Sequence, residues 1–309
     1  MEDATDSNTQ EKAAEGAANL LYTIAFDQPG TGGMRQMVKM LGCSVVRTGF
    51  TGDMMIFRNS PQPVFLVGRQ GIGEQYVETP VLKAQDHADY ARSWKTQTAE
   101  LFETEDYEWV IFLDADCLCL RNIDHLVMDR DCDILYQPET GKSPADLPFC
   151  GYLTDGELEG AGRFKQAASG RKEAAIAEGL IVEGSCPLPR QGINSGTWAV
   201  RGDCFRQVME EWVLIQANDP PQVTTSREQS AWNRLIIDAA EHGWRAEPFE
   251  PHEVQFPLGA DKDWRLYKDA AIVHCSGAQV PERIQFMFGL YMQRFFHDPA
   301  STLLNIMEM

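Results

Sequence analysis

The most restrictive feature of the sequence is an apolar run, Trp109–Leu113, that ends directly on the acidic triplet Asp114-Ala115-Asp116. An apolar run without polar alternation is typical of a strand that is covered on both faces, as in parallel sheets with helices on each side. The sequence therefore predicts an α/β fold with a buried strand at 109–113. Because ligands bind beyond the carboxyl ends of the strands in such sheets, the two aspartates lie where a ligand site is expected.

Segments with strand and helix patterns alternate along the rest of the chain. Apolar runs predict further strands at 20–26, 53–57, 64–67, 197–200 and 270–273. Apolar residues at helical spacing predict helices at 34–46, 87–104, 203–216, 227–241 and 281–297. This alternation favours a mostly parallel central sheet flanked by helices. The last helix carries an apolar stripe without a basic face, which favours packing on the core over a membrane surface.

Two segments depart from this alternation. Residues 1–19 are acidic and rich in alanine, and we expect them to form a disordered tail before a single domain at 20–300. Residues 139–192 hold many glycines, prolines and charged residues, with one helix predicted at 161–179. We interpret 139–192 as an insertion or a lid.

Composition disfavours several classes of protein. The formal net charge of −19 disfavours binding to nucleic acid, because an acidic surface repels phosphate backbones. The eight cysteines form no CxxC pair, and Cys117 and Cys119 lie too far apart on one strand to bridge, so we predict reduced thiols. The sequence shows neither a signal peptide nor a transmembrane run, and we expect a cytoplasmic protein.

The acidic triplet has a specific chemical meaning at the end of a strand. Two carboxylates one residue apart repel each other unless a cation or a proton relieves the repulsion. Their oxygens can converge on a divalent cation, directly or through water. An acidic turn that faces water is the simpler alternative, and the triplet alone does not exclude it.

Four ordered motifs carry a resemblance to a known family. The strand and acidic triplet continue into Asn122-Ile123-Asp124, and three later motifs follow in the order Asn194-Ser195-Gly196, Glu228-Gln229-Ser230-Ala231-Trp232-Asn233 and His274-Cys275-Ser276-Gly277. Together they resemble family 8 glycosyltransferases, the group that contains glycogenin, over residues 20–285. The resemblance implies a GT-A type fold with a Rossmann-like nucleotide-binding half.

The resemblance also implies an activity. Members of the family move a hexose from a nucleotide-diphosphate sugar to an acceptor with retention of anomeric configuration. It implies a UDP-hexose donor and Mn²⁺, with Mg²⁺ as the harder alternative. The sequence identifies neither the acceptor nor the oligomeric state.

Site residues follow from matching the family motifs to this sequence. The implied metal ligands are Asp114, Asp116 and His274, and the implied residues at the reacting face of the sugar are Gln229 and Glu228. The implied donor-binding residues are Thr23, Ala25, Asp27, Lys95, Asp114, Ala115, Asp116, Asn194, Ser195, Gly196 and Gly277. Simpler alternatives exist for each motif alone: a structural histidine, a solvated lysine or an ordinary turn. Because an amide is a poor nucleophile, we favour same-face attack over double displacement at Gln229.

The sequence departs from the family pattern at two positions. The family's diphosphate-contacting lysine is Val280 here, so Arg283 or Gln279 would have to take its place. The family's aspartate before the glutamine is Glu228 here. Acceptor recognition is expected in 139–192 and 245–268. Trp244, directly before the second segment, and Trp264 and Tyr267 within it either stack on sugar rings or belong to the core.

Two other functions compete with the transferase interpretation. A phosphatase of the haloacid-dehalogenase kind would use Asp114 as nucleophile and Asp116 as acid/base. That class prefers Thr or Val where Leu118 stands, and it needs a second acidic pair, for which Asp261 and Asp263 are candidates. A catalytically silent sugar-nucleotide-binding protein is the third interpretation, because of Val280 and Glu228.

Overall fold

The computed structural model of the protein describes residues 18–27, 33–65, 71–80, 84–101, 103–138, 193–218, 227–256, 264–275 and 279–296. The strands are β1 (Leu20–Ala25), β2 (Asp53–Arg58), β3 (Ile72–Tyr76), β4 (Trp109–Leu113), β5 (Cys117–Cys119), β6 (Ile134–Pro138), β7 (Ile193–Arg201), β8 (Ala246–Pro248), β9 (Val254–Gln255) and β10 (Ile272–His274). The α-helices are α1 (Gly33–Arg47), α2 (Ala84–Gln97), α3 (Asp124–Val127), α4 (Phe205–Asn218), α5 (Arg227–Ile237) and α6 (Val280–Phe295).

A seven-stranded sheet forms the centre of the molecule, in the order β3-β2-β1-β4-β7-β6-β8. The pairs among β1 to β4 are parallel, as is the pair of β6 with β8, whereas β7 is antiparallel to both β4 and β6. This is the predicted fold class, α/β with a mostly parallel central sheet flanked by helices. Because β7 runs against β4, the beginning of β7 lies beside the end of β4.

Helices cover the sheet on both faces, and the core is correspondingly divided into two hydrophobic clusters. Ile111 and Leu113 of β4 face one cluster, which includes Met287 of α6, and Val110 and Phe112 face the other. The second cluster contains the indoles of Trp198, Trp212 and Trp232, which contact one another in tilted and edge-on arrangements. Strand β4 is therefore buried on both faces, as its apolar run predicts. Helix α6 packs on the core as expected, with Met287 and Tyr291 buried.

A second, three-stranded sheet positions the strand that carries His274 against the acidic triplet. Its order is β5-β10-β9, with β10 antiparallel to β5 and parallel to β9. The register pairs His274 with Cys117, and the Cys275 amide donates to the Asp116 carbonyl at 2.8 Å. Strand β5 begins directly after Asp116, so the pairing of β5 with β10 places His274 beside Asp114 and Asp116.

The strand predicted at 64–67 is wrong over its described part. Val64 and Phe65 are buried but not in a strand, because their amides donate to the Glu74 carboxylate at 2.8 and 2.9 Å. The third strand is β3, whose sequence Ile-Gly-Glu-Gln-Tyr is too polar to be recognised. The helix predicted at 87–104 ends earlier, with α2 followed by a 3₁₀ turn at Thr98–Glu100.

Several predictions fall outside the described residues. These are the tail at 1–17, the segment 139–192, the pair Asp261 and Asp263, and Gly277. Among the helices that the structure describes, none has the length and apolar character needed to cross a bilayer.

Candidate functional site

Backbone hydrogen bonds fix the acidic triplet against β7. The Asp114 amide donates to the Gly196 carbonyl at 2.7 Å, and the Cys117 amide donates to the Asp114 carbonyl at 2.9 Å. Ala115 between them is buried. Asp116 is only 5% exposed, whereas the side chain of Asp114 is 32% exposed. The turn therefore holds one buried carboxylate, that of Asp116, and one partly exposed carboxylate, that of Asp114.

The structure brings His274 into contact with both aspartates. The His274 Nε2 atom lies 3.2 Å from Asp116 Oδ1 and 3.7 Å from Asp114 Oδ2. The imidazole is buried, and the ring of Phe256 meets it edge-on with the centroids 5.0 Å apart. Its Nδ1 atom has no hydrogen-bond partner within the described part of the chain. Two carboxylates and an imidazole thus converge at the carboxyl end of β4.

Positive charge surrounds the buried carboxylate. Burial acts to raise the pKa of Asp116, but the attraction of His274 and Arg283, together with hydrogen bonds to the carboxylate, lowers that pKa to about 2. Arg283 of α6 donates from Nη1 to Asp116 Oδ2 at 2.8 Å. Asp116 is therefore ionised throughout the physiological pH range and is available as a cation ligand.

Lys95 joins three elements of the site. Its ammonium lies 3.0 Å from the Ser195 carbonyl oxygen, 3.2 Å from Asp114 Oδ1 and 3.0 Å from Glu228 Oε1. Burial acts to lower the Lys95 pKa, but Asp114 and Glu228 outweigh it and the pKa is raised. An ammonium has three donors, so these partners satisfy it. In this state Lys95 holds Asp114 and Glu228 in position.

Gly196 lies at the closest approach between β7 and the converging side chains. A Cβ atom at this position would collide with His274 Cε1 and Asp114 Oδ2, and it would come within 2.9 Å of Asn194 Oδ1. The first two atoms belong to the converging group itself. Only glycine leaves room for both.

We expect Gly196→Ala to lower the free energy of unfolding by about 1–3 kcal/mol through overpacking and to weaken divalent-cation binding. The partly exposed Asp114 carboxylate has room to move, but the buried His274 ring does not, so the overpacking falls on the ring. Urea denaturation and Mn²⁺ titration measure the two effects. Gly289→Ala is the matched control, since a Cβ there meets no atom within 4 Å, and alanine should stabilise helix α6. Equal Mn²⁺ affinity in both variants would contradict this packing argument.

The other predicted donor-binding residues of β7 lie at the start of the strand, beside the acidic triplet. Asn194 and Ser195 are both buried, and the Asn194 Oδ1 atom accepts from the Gly196 amide at 2.7 Å. The sequence pattern is that of a tight turn, but these residues lie within strand β7, where its pairing with β6 shifts register between Asn194 and Trp198. The Ser195 side chain lies 3.5 Å from the Lys95 ammonium.

The predicted donor-binding residues of β1 differ in their surroundings. Thr23 is fully buried, and its hydroxyl has no partner among the described residues. Ala25 ends the strand. The Asp27 carboxylate accepts from the amides of Met34 and Arg35 at 2.8 and 3.1 Å, so this side chain caps the first turn of α1.

The two residues predicted at the reacting face begin α5. Glu228 is buried and holds Lys95, while Gln229 follows it on the same turn with a half-buried side chain. The Gln229 carbonyl accepts from Asn233 Nδ2 at 2.7 Å, and Asn233 also bonds both main-chain groups of Ile193. Asn233 thereby ties the start of α5 to the start of β7.

The aromatic residues considered for acceptor binding have different environments. Tyr267 is buried and packs edge-on against Phe286, so it belongs to the core. Trp244 is half-buried and stacks on His242 with the ring centroids 5.2 Å apart. The side chain of Trp264 is outside the described part of the chain.

Sequence reasoning missed one member of the converging group. Ligand atoms of Asp116, Cys117 and His274 all lie within 4.8 Å of one another, and all three residues are buried. The strand pattern assigns Cys117 to the face opposite Asp116, so alternation conceals this proximity. Only the pairing of Cys117 with His274 reveals it.

Comparison with known proteins supports the fold. No protein-family model and no curated protein matches the chain. Among solved structures, the chain matches the apo structure of WbbM, a bifunctional glycosyltransferase, with a TM-score of 0.53 and 9% sequence identity. The match covers 95% of this chain and 52% of WbbM, so this chain spans about half the length of that protein. It also matches a glycosyltransferase involved in glycosylation of the major capsid of PBCV-1, with a TM-score of 0.49 and 16% identity over 88% of this chain and 99% of that one. The chain thus shares its fold with a solved glycosyltransferase.

Proposed function

We propose that the protein is a metal-dependent glycosyltransferase that moves a hexose from a UDP-hexose donor to an acceptor with retention of configuration. One observation carries the proposal: Asp114, Asp116 and His274 converge at the carboxyl end of β4, at distances of 3.2 and 3.7 Å from the imidazole nitrogen to the carboxylates. The fold shared with WbbM and the ordered family 8 motifs support it.

The residues present fit a divalent cation. Carboxylate oxygens and an imidazole nitrogen suit Mn²⁺, with Mg²⁺ as the harder alternative. Metal binding requires a neutral imidazole, so a cation would replace any proton shared by His274 and Asp116. Asp114, Asp116 and His274 would hold it, and it would stabilise the negative charge of the departing nucleoside diphosphate.

The other side chains have separate tasks in this proposal. Lys95, which is itself paired with Glu228, holds the carboxylate of Asp114 through Oδ1, whereas His274 lies nearest Oδ2. Asn194 and Ser195 offer polar groups to the sugar hydroxyls at the start of β7. Gln229 stands at the reacting face, where its amide oxygen would stabilise developing positive charge on the sugar during same-face attack.

Arg283 takes the place of the family's diphosphate-contacting lysine in this proposal. It lies one helical turn after Val280 on α6, and its guanidinium already reaches Asp116. A guanidinium matches phosphate oxygens in a two-pronged geometry. With a cation on Asp116, the Arg283 side chain would be free to turn to the diphosphate.

We expect Arg283→Gln to weaken UDP binding in the presence of Mn²⁺ by about tenfold to a hundredfold, as for the loss of a hydrogen bond to a charged group worth ~1.5–3 kcal/mol. Isothermal titration calorimetry measures the change. Arg206→Gln, an exposed position on α4, is the matched control and should bind UDP like the parent. Unchanged affinity in Arg283→Gln would remove this residue from the diphosphate site.

The proposed function is tested by incubating the full chain with UDP-glucose and UDP-galactose, with Mn²⁺ or with EDTA. A transferase without its acceptor should hydrolyse one donor slowly, and only with the cation. Cleavage of a phosphomonoester such as p-nitrophenyl phosphate would support the phosphatase instead. Binding of UDP without any hydrolysis would support the silent binder, which the replacement of the family's lysine by Val280 favours.

A further inference from the structure

A thiol lies beside the proposed cation site. Cys117 is fully buried, and its Sγ atom lies within 4.8 Å of a carboxylate oxygen of Asp116 and a ring nitrogen of His274. The thiol's own contacts are weak: 3.5 Å to Thr197 Oγ1 and 3.8 Å to the Gly196 carbonyl oxygen. The sulfur is therefore not committed to a strong hydrogen bond.

The three ligand atoms have the composition of a zinc site. Zn²⁺ binds sulfur, nitrogen and oxygen at about 2.3, 2.0–2.1 and 2.0–2.2 Å in a tetrahedral arrangement. Ligand atoms around such an ion lie about 3.3–3.8 Å apart on these bond lengths. The three ligand atoms, which here lie within 4.8 Å of one another, would therefore have to approach one another by up to roughly an ångström to hold the ion. The partly exposed carboxylate of Asp114, 3.7 Å from His274 Nε2, is in reach as the fourth ligand.

We propose that Asp116, Cys117 and His274 form a thiophilic metal site that binds Zn²⁺ and that shares two ligands with the proposed catalytic cation. Because Asp116 and His274 cannot serve both ions, Zn²⁺ and Mn²⁺ exclude each other. This competition rests on the proposed function, whereas the zinc site itself does not.

Zn²⁺ and Mn²⁺ differ in whether they bind the sulfur of Cys117. Mn²⁺ prefers oxygen ligands and does not bind the sulfur. Zn²⁺ forms a strong bond to thiolate, so its binding releases the thiol proton to solvent as the Zn–S bond forms.

Cobalt(II) substitutes for zinc and reports the ligand set in its absorption spectrum. Titration of the full chain with Co²⁺ should produce a near-ultraviolet thiolate-to-metal charge-transfer band and the visible bands of a tetrahedral ion. Cys117→Ser should lose the charge-transfer band and bind Co²⁺ at least about tenfold more weakly. Cys204→Ser, a half-buried thiol near the opposite end of β7, is the matched control and should retain both. An identical band in Cys117→Ser and the parent would overturn the zinc site.

Two measurements on the unmutated chain keep the test independent of how Cys117→Ser folds. X-ray absorption of the chain with one equivalent of Zn²⁺ should show one sulfur at about 2.3 Å, and a shell of nitrogen and oxygen alone would overturn the site. Electron paramagnetic resonance should show Zn²⁺ releasing bound Mn²⁺. If Mn²⁺ never binds but the cobalt band is present, the zinc site stands, and the competition fails together with the proposed function.

Discussion

Asp116→Asn is expected to abolish Mn²⁺-dependent binding of UDP and to lower donor hydrolysis by about 100-fold or more, beyond the 10–100-fold typical of residues that only support a ligand. We expect this large effect because Asp116 lies between two other groups of the site: one of its carboxylate oxygens contacts His274 and the other contacts Arg283. Asparagine keeps the shape of the side chain but removes its charge. Calorimetric titration of UDP, with and without Mn²⁺, measures the effect.

Asp203→Asn is the matched control for this experiment. Asp203 is an exposed aspartate just before α4. It follows the end of β7, whereas the acidic triplet lies beside the start of that strand, so the same change of charge should leave UDP binding intact. Circular dichroism shows whether both variants fold. UDP binding by folded Asp116→Asn that still depends on Mn²⁺ would remove this carboxylate from the cation site.

Lys95→Met is expected to lower the free energy of unfolding by about 3–5 kcal/mol, the range for removing one partner of a buried ion pair. Both the Lys95 ammonium and the Glu228 carboxylate are almost inaccessible to water, with side-chain exposures of 6% and 5%. Methionine preserves the length of the side chain but removes the ammonium that lies 3.0 Å from Glu228 Oε1. The midpoint of urea denaturation measures the loss.

A double variant separates lost charge pairing from lost packing. In Lys95→Met with Glu228→Gln the buried charge of Glu228 is gone as well, so most of the stability should return while donor hydrolysis stays low. Asp114 tolerates the change better because its side chain is 32% exposed and is solvated. If the double variant is as unstable as Lys95→Met, the buried Glu228 charge is not the cause of the instability.

The part of the fold that follows from apolar patterning could be predicted from the sequence. Strands such as Trp109–Leu113 are buried on both faces, and burial is what an apolar run reports. Strand β3 could not be predicted in the same way, because it lies at the edge of the sheet, where polar residues such as Glu74 and Gln75 are tolerated. Its Glu74 carboxylate instead binds the apolar segment at Val64 that resembles a strand.

The sequence predicts those parts of the candidate site that lie at the ends of apolar strands. The ends of β4 and β10 are visible in the sequence as apolar runs stopped by Asp114 and His274. The pairing of β10 with β5 in a separate sheet is a tertiary contact that no local pattern encodes. The same holds for the ion pair of Lys95 with Glu228, since burial and distance decide whether a lysine is solvated or satisfied.

The proposal depends above all on a cation held jointly by residues from β4 and β10. A crystal of the full chain grown with UDP and MnCl₂, measured at the manganese absorption edge, locates the ion by anomalous scattering. We expect one strong peak within coordinating distance of an Asp116 oxygen and a His274 ring nitrogen, next to the diphosphate. UDP bound without a peak there, or manganese bound elsewhere on the chain, would contradict the account.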